Sequence, residues 1–311
     1  MTARILLTGK NGQVGHELQR FLPRLGEVVT LDRQQLDLSR FDEIRRVIRE
    51  IRPTLIVNAA AYTAVDLAEK EQSLAQAINA RAPAIMAEET KRIGAALIHY
   101  STDYAFDGSK NSPYEETDPT NPINVYGKTK LAGEQAIRDS GVHHLILRTA
   151  WLYSTRGKNF LLTILRLATE REELRIVNDQ IGAPTWSREI ASATAEILQK
   201  IFDRTGIASP WAELSGIYHM TAGGETSWFE FAKAILDEAK KQATSPGPWF
   251  AAATRGKPSL AREVTPITTA EYPTPARRPA YSVLSNTHIA RTFGIELADW
   301  RTQLHRACAD G

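Results

Sequence analysis

The chain has 311 residues, which is long enough for two lobes built around separate cores. Its 38 lysines and arginines nearly balance 36 acids, and a formal net charge of +2 excludes recruitment of nucleic acid or an anionic membrane by a global field. One cysteine, Cys308, excludes an intramolecular disulfide and cannot by itself make a thiolate metal site. With no export signal and no apolar run of about 18 residues, the sequence predicts a cytoplasmic protein without a membrane partner.

The first half alternates short apolar runs with helical patterns. Helical periodicity is found in four segments: 15–26, 39–53, 71–94 and 126–141. Strands are predicted in five segments: 4–9, 27–32, 54–62, 95–103 and 144–153. Repeated strand–helix units with continuously apolar strands favour a parallel sheet that is covered on both faces. The predicted fold is α/β, a Rossmann-like doubly wound parallel sheet.

The regular alternation of strands and helices ends after residue 153. A helix is predicted at 159–172, a strand from 174 that leads into a Gly/Pro loop, and another helix at 187–202. The segment 226–242 is strongly amphipathic, and residues 286–310 have the pattern of two short helices. Loop-rich, proline-rich stretches lie at 244–259 and 271–282. We therefore expect a dinucleotide-binding domain over 1–153, with elements from about 174–202 returning to it, and a mainly substrate-binding lobe over 154–311.

A glycine-rich loop, "GKNGQVG", joins the first strand to the first helix and places glycines at Gly9, Gly12 and Gly15. Glycines let the backbone turn tightly and approach a pyrophosphate, which would lie on the N–H groups of the helix start. The spacing is G-x-x-G-x-x-G rather than the commoner G-x-G-x-x-G. In its strand–loop–helix context it predicts a dinucleotide site that includes Asn11, Gln13 and Val14.

Asp32 ends the second predicted strand, 20 residues after Gly12, where an acid would accept a hydrogen bond from an adenosine ribose hydroxyl. Arg33 follows directly and could hold a 2′-phosphate instead, so both NADH and NADPH stay open as cofactors. The third strand ends in "NAAAYT", residues 58–63. Its small side chains, Ala60 and Ala61 among them, would let a nicotinamide ribose pass close to the backbone.

Tyr126 and Lys130, four residues apart in "NVYGKTKLAGE", would lie on one face of a helix, one turn apart. A carbonyl that accepts a hydride needs a proton, but tyrosine, with a pKa near 10, is a poor acid at neutral pH. A cation about 4 Å away is worth roughly 4 kcal/mol at an effective dielectric near 20, or about three pKa units. Lys130 is therefore expected to lower the pKa of Tyr126.

The fourth strand ends in "HYSTDYAFDG", which puts Ser101, Thr102 and Asp103 at the carboxyl edge of the sheet, where ligands of such folds bind. A hydroxyl there can orient and polarise a substrate carbonyl beside the tyrosine. The spacing Y-x-x-x-K is common by chance, and this position is what makes it informative.

Together these motifs resemble the extended short-chain dehydrogenase/reductase family, and within it the dTDP-4-dehydrorhamnose reductases. The likeness extends nearly end to end through "LRTAWLY", "VNDQIGAPTW", "YHMTAGGETSW" and "YPTPARRP". The resemblance implies reduction of the C4 keto group of dTDP-4-dehydro-6-deoxy-L-mannose to dTDP-L-rhamnose by NADPH or NADH, the last step of dTDP-rhamnose synthesis.

The same resemblance implies roles for individual residues. Thr102, Tyr126 and Lys130 would be catalytic, and Asp103 and Trp151 would touch the deoxysugar. The cofactor would contact the following residues: Gly12, Gln13, Val14, Asp32, Asp37, Leu38, Ala61, Tyr62 and Thr63. Arg278 in "PARRP" could bind the diphosphate, since guanidinium groups suit it, although an exposed basic loop is the plainer interpretation.

Three alternatives stay open. Related sugar-nucleotide dehydratases carry Thr-Asp-Glu where this chain has Thr102-Asp103-Tyr104, so elimination is disfavoured. A non-catalytic NADP-binding regulatory subunit resembles the same family, and another 4-keto sugar nucleotide could be the substrate, because no motif distinguishes thymidine from uridine.

Seven scattered histidines lack metal-ligand spacing, so no metal, magnesium included, is expected to be required for the chemistry. A homodimer bridged through Glu17 stays open, although Arg188 and Arg301 occupy the helices that would supply its partners.

Overall fold

The computed structural model describes residues 3–203, 211–242, 250–251, 254, 261 and 263–310. Most of the proline-rich stretch predicted at 244–259 lies outside these residues. The strands are β1 (Ala3–Thr8), β2 (Gly26–Leu31), β3 (Leu55–Asn58), β4 (Ala96–Thr102), β5 (His143–Thr149), β6 (Leu152–Tyr153), β7 (Glu173–Val177), β8 (Ile181–Gly182), β9 (Thr185–Trp186), β10 (Gly216–His219), β11 (Thr226–Ser227) and β12 (Glu263–Ile267).

The helices follow the predicted segments closely. They are α1 (Gln13–Phe21), α2 (Phe41–Ile51), α3 (Val65–Ala68), α4 (Gln72–Gln76), α5 (Ala82–Arg92), α6 (Val125–Ser140), α7 (Phe160–Glu170), α8 (Ser187–Asp203), α9 (Trp211–Leu214), α10 (Trp228–Gln242) and two C-terminal helices, Thr287–Phe293 and Trp300–Asp310. One turn of π-helix, Ala77–Arg81, joins α4 to α5.

The central sheet has six parallel strands in the order β10-β5-β4-β3-β1-β2. Successive side chains of a strand point alternately into two cores. Ile5 and Leu7 of β1 pack under α1 and α8, whereas Leu6 packs under α2 and α5. Side chains that point alternately to two covered faces explain the continuously apolar strands. The predicted Rossmann-like fold is confirmed.

A third core forms a smaller lobe from α7, α10 and the last helix, together with the parallel pair β7 and β12. The returning elements differ in part from those expected. Helix α8 packs on α1, but β7 pairs outside the main sheet, and the strand that returns to it is β10, which pairs with β5. Hydrogen-bond partners of such short strands depend on tertiary packing, which periodicity does not report.

The strand order reverses between β1 and β3, so the connections from these strands diverge and leave a crevice at their carboxyl ends. The last residues of the four central strands are polar: Thr8, Asn58, Thr102 and Thr149. The predicted motifs therefore meet at one edge of the sheet, although they are spread over about 140 residues of sequence.

Candidate active site

The glycine loop is shaped by backbone contacts that leave no room for side chains. Gly9 has φ +73°, and a Cβ on it would lie 2.8 Å from Ala60 N. A Cβ on Gly15 would lie 2.1 Å from the carbonyl oxygen of Gly9, so this third glycine lets α1 pack directly on the loop. The loop therefore has the close helix-to-strand packing that the spacing predicted.

The start of α1 is suited to an anion. Gly12 is the N-cap residue, and no side chain caps the first turn of α1. The backbone N–H groups of that turn therefore face the crevice without a side-chain acceptor. Backbone N–H groups at a helix N-terminus, reinforced by the helix dipole, bind phosphate well. A pyrophosphate fits this position.

Beside this helix start lies a cleft of about 590 Å³. Every predicted cofactor residue except Gly15 lines this cleft, and Gly15 instead packs α1 against the loop. The lining residues among those predicted are Gly9, Asn11, Gly12, Gln13, Val14, Asp32, Arg33, Asp37, Leu38, Ala60, Ala61, Tyr62, Thr63, Tyr126 and Lys130. Segments from the ends of β1, β2 and β3 and from the start of α6 thus share one cavity. Its volume and its small-residue wall suit a dinucleotide.

At one end of the cleft, Asp32 follows β2 directly. One carboxylate oxygen accepts the backbone N–H groups of Gln34 and Gln35, and the other lies 3.4 Å from the Lys10 ammonium. Arg33 also lines this end. The carboxylate that would bind a ribose and the cations that would bind a 2′-phosphate are therefore neighbours, so both cofactors have possible partners here.

At the other end, Tyr126 lies in the first turn of α6, whose N-cap Asn124 accepts a hydrogen bond from Gly127 N at 2.8 Å. Thr102 donates to Asp103 Oδ1 at 3.0 Å, and its hydroxyl lies near enough to the phenol of Tyr126 to influence its pKa. A Cβ on Gly127 would lie 2.2 Å from the backbone oxygen of Tyr104, so glycine lets the helix start press against the end of β4. The predicted threonine and tyrosine are thus neighbours.

The electrostatics differ from expectation. Burial raises the pKa of Tyr126 to about 12; the hydrogen bond with Thr102 opposes the rise, and Asp103 adds to it. Lys130 is 2% exposed, and its Nζ bonds to the backbone oxygen of Tyr100 at 2.7 Å and approaches His99 Nε2 at 3.2 Å. Burial lowers the pKa of Lys130 to about 8, although Glu134 raises it. The structure therefore lacks the lowered tyrosine pKa predicted from the Tyr126–Lys130 spacing, since burial dominates and Lys130 Nζ lies against Tyr100 and His99 instead.

Asp103 is 3% exposed, and one of its carboxylate oxygens, Oδ2, accepts no hydrogen bond within the part of the chain that the structure describes. Burial raises its pKa to about 6, while the Ser282 and Thr102 hydroxyls lower it. A buried acceptor oriented beside Tyr126 and Thr102 suits a ligand hydroxyl.

Trp151 interrupts the long strand that the sequence predicted over 144–153. It has φ +46°, an uncommon conformation for a bulky residue, and it separates β5 from β6. Its indole stacks on Trp228 with centroids 3.4 Å apart and 3° between the planes. It lies outside the lining of the cofactor cleft, next to Gly182, whose missing side chain makes room for it.

The side chain of Arg278 already has hydrogen-bond partners within the chain, although its position in the sequence suggested that it could bind a diphosphate or lie in an exposed loop. It donates to Asp66 Oδ2 at 2.8 Å and to the backbone oxygen of Ala276 at 3.0 Å, and its side chain is 21% exposed. Asn124 Nδ2 donates to the backbone oxygen of Arg277, so the "PARRP" loop docks on the start of α6. The loop therefore reaches the active-site end of the fold, with Arg278 joined to α3.

Sequence reasoning missed a segment that follows β6. Gly157 and Lys158 line the cleft, and the neighbouring Asn159 donates to Gln13 Oε1 at 3.0 Å. The residues of this segment form no recognisable motif, and only the contact with Gln13 reveals that the segment lies near the glycine loop. A lysine there can neutralise a phosphate.

No cluster of three or more potential metal ligands occurs within the described ranges. Glu17, which the sequence left open as a magnesium ligand at a dimer contact, pairs with Arg188 at 3.1 Å and with Arg20 at 3.4 Å. Its carboxylate is therefore already neutralised within one chain. No helix in the part of the chain that the structure describes has the length and apolarity to cross a membrane.

Comparisons with known proteins agree with this geometry. A family model, the RmlD substrate binding domain, matches residues 3–311. A dTDP-4-dehydrorhamnose reductase from Burkholderia thailandensis is 50% identical over 298 residues, which cover 96% of this chain and 95% of that protein. The chain belongs to the dTDP-4-dehydrorhamnose reductase family. Another dTDP-4-dehydrorhamnose reductase, from Escherichia coli strain K12, is 42% identical over 97% of this chain and 96% of its own.

A solved structure of a dTDP-4-dehydrorhamnose reductase, from Bacillus anthracis str. Ames in complex with NADP, superimposes with a TM-score of 0.85 at 35% identity over the whole of both chains. The family resemblance drawn from the sequence motifs is therefore confirmed. In this dTDP-4-dehydrorhamnose reductase family member, the glycine loop and Tyr126 line the same cleft, and Thr102 lies beside Tyr126 outside that lining.

Proposed function

We propose that the protein reduces the C4 keto group of dTDP-4-dehydro-6-deoxy-L-mannose to give dTDP-L-rhamnose, using NADPH or NADH. The position of Tyr126 in the lining of a dinucleotide-sized cleft, with Thr102 beside it, carries this proposal, because the two residues supply a proton donor and a hydroxyl where a carbonyl would be reduced. The family's named activity supports the same reaction.

The residues present fit a nicotinamide dinucleotide. The uncapped start of α1 would take the pyrophosphate, with Lys158 as a nearby cation, and the Asp32–Arg33 end would take the adenosine ribose. The Bacillus anthracis relative was solved in complex with NADP, which supports binding of a nicotinamide dinucleotide. When bound, the reduced nicotinamide would supply the hydride.

The chain's own groups would handle the proton and the carbonyl. Tyr126, which is protonated at neutral pH and whose pKa burial raises further, would donate its phenolic proton to the C4 oxygen. Thr102 would hold that oxygen by its hydroxyl, turning its proton from Asp103 Oδ1 to the substrate. Lys130 would bind the nicotinamide ribose and stabilise the tyrosinate as it forms.

The smaller lobe, mainly 154–311, would bind the sugar nucleotide. The unpartnered oxygen of Asp103 would accept a deoxysugar hydroxyl, and Trp151 would pack on the sugar ring. Arg278 would reach the diphosphate only by exchanging its Asp66 contact for the ligand. The dTDP base, the cytoplasmic location and a homodimer stay predictions from the sequence.

The test is oxidation of NADPH and of NADH at 340 nm, with the 4-keto sugar nucleotide generated in situ and the product sugar identified. Production of 6-deoxy-L-mannose would support the reductase. Cofactor binding without oxidation would instead favour the regulatory-subunit alternative, and oxidation only with another keto sugar would change the substrate.

Tyr126→Phe is the matched variant for the chemical step, because it removes one oxygen and keeps the ring that packs edge-on against Tyr104. We expect cofactor affinity to stay within about twofold while kcat falls about 10²–10⁴-fold, the usual contribution of a general acid. Near-normal turnover would remove Tyr126 from the mechanism.

A further inference from the structure

A row of buried polar side chains crosses the central sheet behind Lys130. Thr8, Asn58 and His99 are register partners on β1, β3 and β4, so their side chains leave the same face. All three are at most 2% exposed. The row ends at Lys130, whose Nζ lies 3.2 Å from His99 Nε2. Buried polar groups in an otherwise apolar sheet are costly unless their hydrogen bonds are satisfied, so the direction of each bond matters.

The direction is determined at Asn58. Its Oδ1 accepts the Thr8 hydroxyl at 2.7 Å and the backbone N–H of Ala60 at 3.3 Å. Its Nδ2 therefore points to His99 Nδ1, 3.0 Å away, and an amide nitrogen can only donate. His99 Nδ1 must then be the acceptor, and a neutral imidazole with an acceptor at Nδ1 carries its proton on Nε2. The imidazole is neutral because burial lowers its pKa well below the usual value, and a charged Lys130 would lower it further.

The proton on Nε2 faces Lys130. A lysine ammonium has three donors and no acceptor, so Nε2–H and an ammonium oppose each other across 3.2 Å. An uncharged amine has a lone pair that can accept from Nε2–H while one of its N–H groups donates to Tyr100 O. We propose that His99, oriented by Asn58 and Thr8, is a positioning residue that donates to Lys130 and stabilises its uncharged form before the cofactor binds.

The other groups around Lys130 are compatible with this arrangement. On its own helix, Tyr126 lies one turn before it, and Glu134 one turn after it raises its pKa. Glu134 is itself held by Arg148 of β5 at 2.6 Å and by Ser101, so much of its charge is neutralised. From β4, Lys130 meets the His99 ring and the backbone oxygen of Tyr100. Burial accordingly lowers the pKa of Lys130 to about 8 despite the acid.

The consequence rests on the proposed cofactor site. Ribose hydroxyls would offer acceptors to an ammonium, so NADPH binding would draw a proton onto Lys130. We expect proton uptake of more than about half a proton on binding at about pH 8.5, just above the lowered pKa. Calorimetric titration with NADPH in buffers of different ionisation enthalpy measures this uptake directly.

The first experiment reads the tautomer of His99 by ¹⁵N NMR of the full chain labelled at its seven histidines, without cofactor, at about pH 8.5. Loss of one signal in His99→Gln assigns it, and an NADPH titration of the native chain, which perturbs the same ring, assigns it independently. The Nε2–H tautomer is expected. The Nδ1–H tautomer would overturn the proposal, whether or not the protein is a reductase.

The second experiment reverses the direction of the hydrogen bond between residues 58 and 99 with Asn58→Asp, which keeps the size of the side chain. A carboxylate would accept from Nδ1–H, so Nε2 would become an acceptor for the ammonium. We expect a switch of tautomer and at least a twofold fall in proton uptake on NADPH binding. The control Asn111→Asp, which adds the same charge at an exposed site, should change neither. Unchanged uptake in a folded Asn58→Asp protein would refute the role of the row, and the native tautomer decides the matter if that variant does not fold.

Discussion

Trp151 offers the sharpest test of how the smaller lobe shapes the site. The change is Gly182→Ala. A Cβ at residue 182 would lie 2.3 Å from Trp151 Cε2 and within 2.7 Å of two further indole atoms, whereas ordinary contacts begin at 3.4 Å. The indole must therefore move by about 1 Å. It cannot do so without disturbing its 3.4 Å stack on Trp228.

A displacement of about 1 Å in a group that positions substrate can cost about 10²-fold in rate, or roughly 2.7 kcal/mol. We expect kcat/KM for the sugar nucleotide to fall by that factor in Gly182→Ala, while NADPH affinity stays within about twofold, because Trp151 lies outside the cofactor cleft. Circular dichroism should lose the signal of two coupled indoles.

Gly216→Ala is the matched control. Its Cβ would meet Tyr218 at 3.7 Å, an ordinary contact, so both activity and spectrum should be unchanged. The reasoning would be refuted if the indole signal were lost in Gly182→Ala while kcat/KM stayed near normal, since Trp151 would then have no part in binding the sugar.

The remaining predictions concern charge. Asp32→Ala should weaken NADH more than NADPH in fluorescence titrations, because it removes a ribose acceptor while Lys10 and Arg33 are kept; equal losses would refute the ribose role. Burial raises the pKa of Asp103 to about 6, so its ionisation costs the folded state about 3 kcal/mol. That cost is absent below about pH 4 and complete above about pH 6, so the free energy of unfolding, measured with urea, should fall across this window, and Asp103→Asn should abolish the fall attributable to this group. Arg148→Met should destabilise by about 3–5 kcal/mol by leaving Glu134 buried without its partner, and Arg148→Met/Glu134→Leu should regain most of that; a double variant no more stable than the single would contradict it.

The elements and motifs of the first half could be predicted because their signals are local. Ile5, Leu6 and Leu7 alternate between two cores within one strand, and a strand covered on both faces is apolar throughout. The glycine loop was predictable for a similar reason, since Gly9 and Gly15 meet within a single turn of chain. Tyr126 and Lys130 are one helical turn apart whatever surrounds them.

Partners that are distant in sequence were not predictable from spacing. Lys130 was expected to influence Tyr126, but its Nζ bonds to residues of β4 instead. Arg278 pairs with Asp66, and Lys158 reaches the cofactor cleft, without any motif that announces either contact. Charge and hydrogen-bond partners depend on which surfaces the fold brings together.

The amino-acid sequence by itself determined the family, the parallel α/β architecture and the set of residues at the end of the sheet, because these follow from periodicity, loop composition and short motifs. Only the tertiary structure decided the protonation of the site. The register of β1, β3 and β4 aligns Thr8, Asn58 and His99 behind Lys130, and burial in that row controls which groups can hold a proton. Burial and hydrogen-bond direction are properties of packed neighbours, and a linear pattern does not contain them.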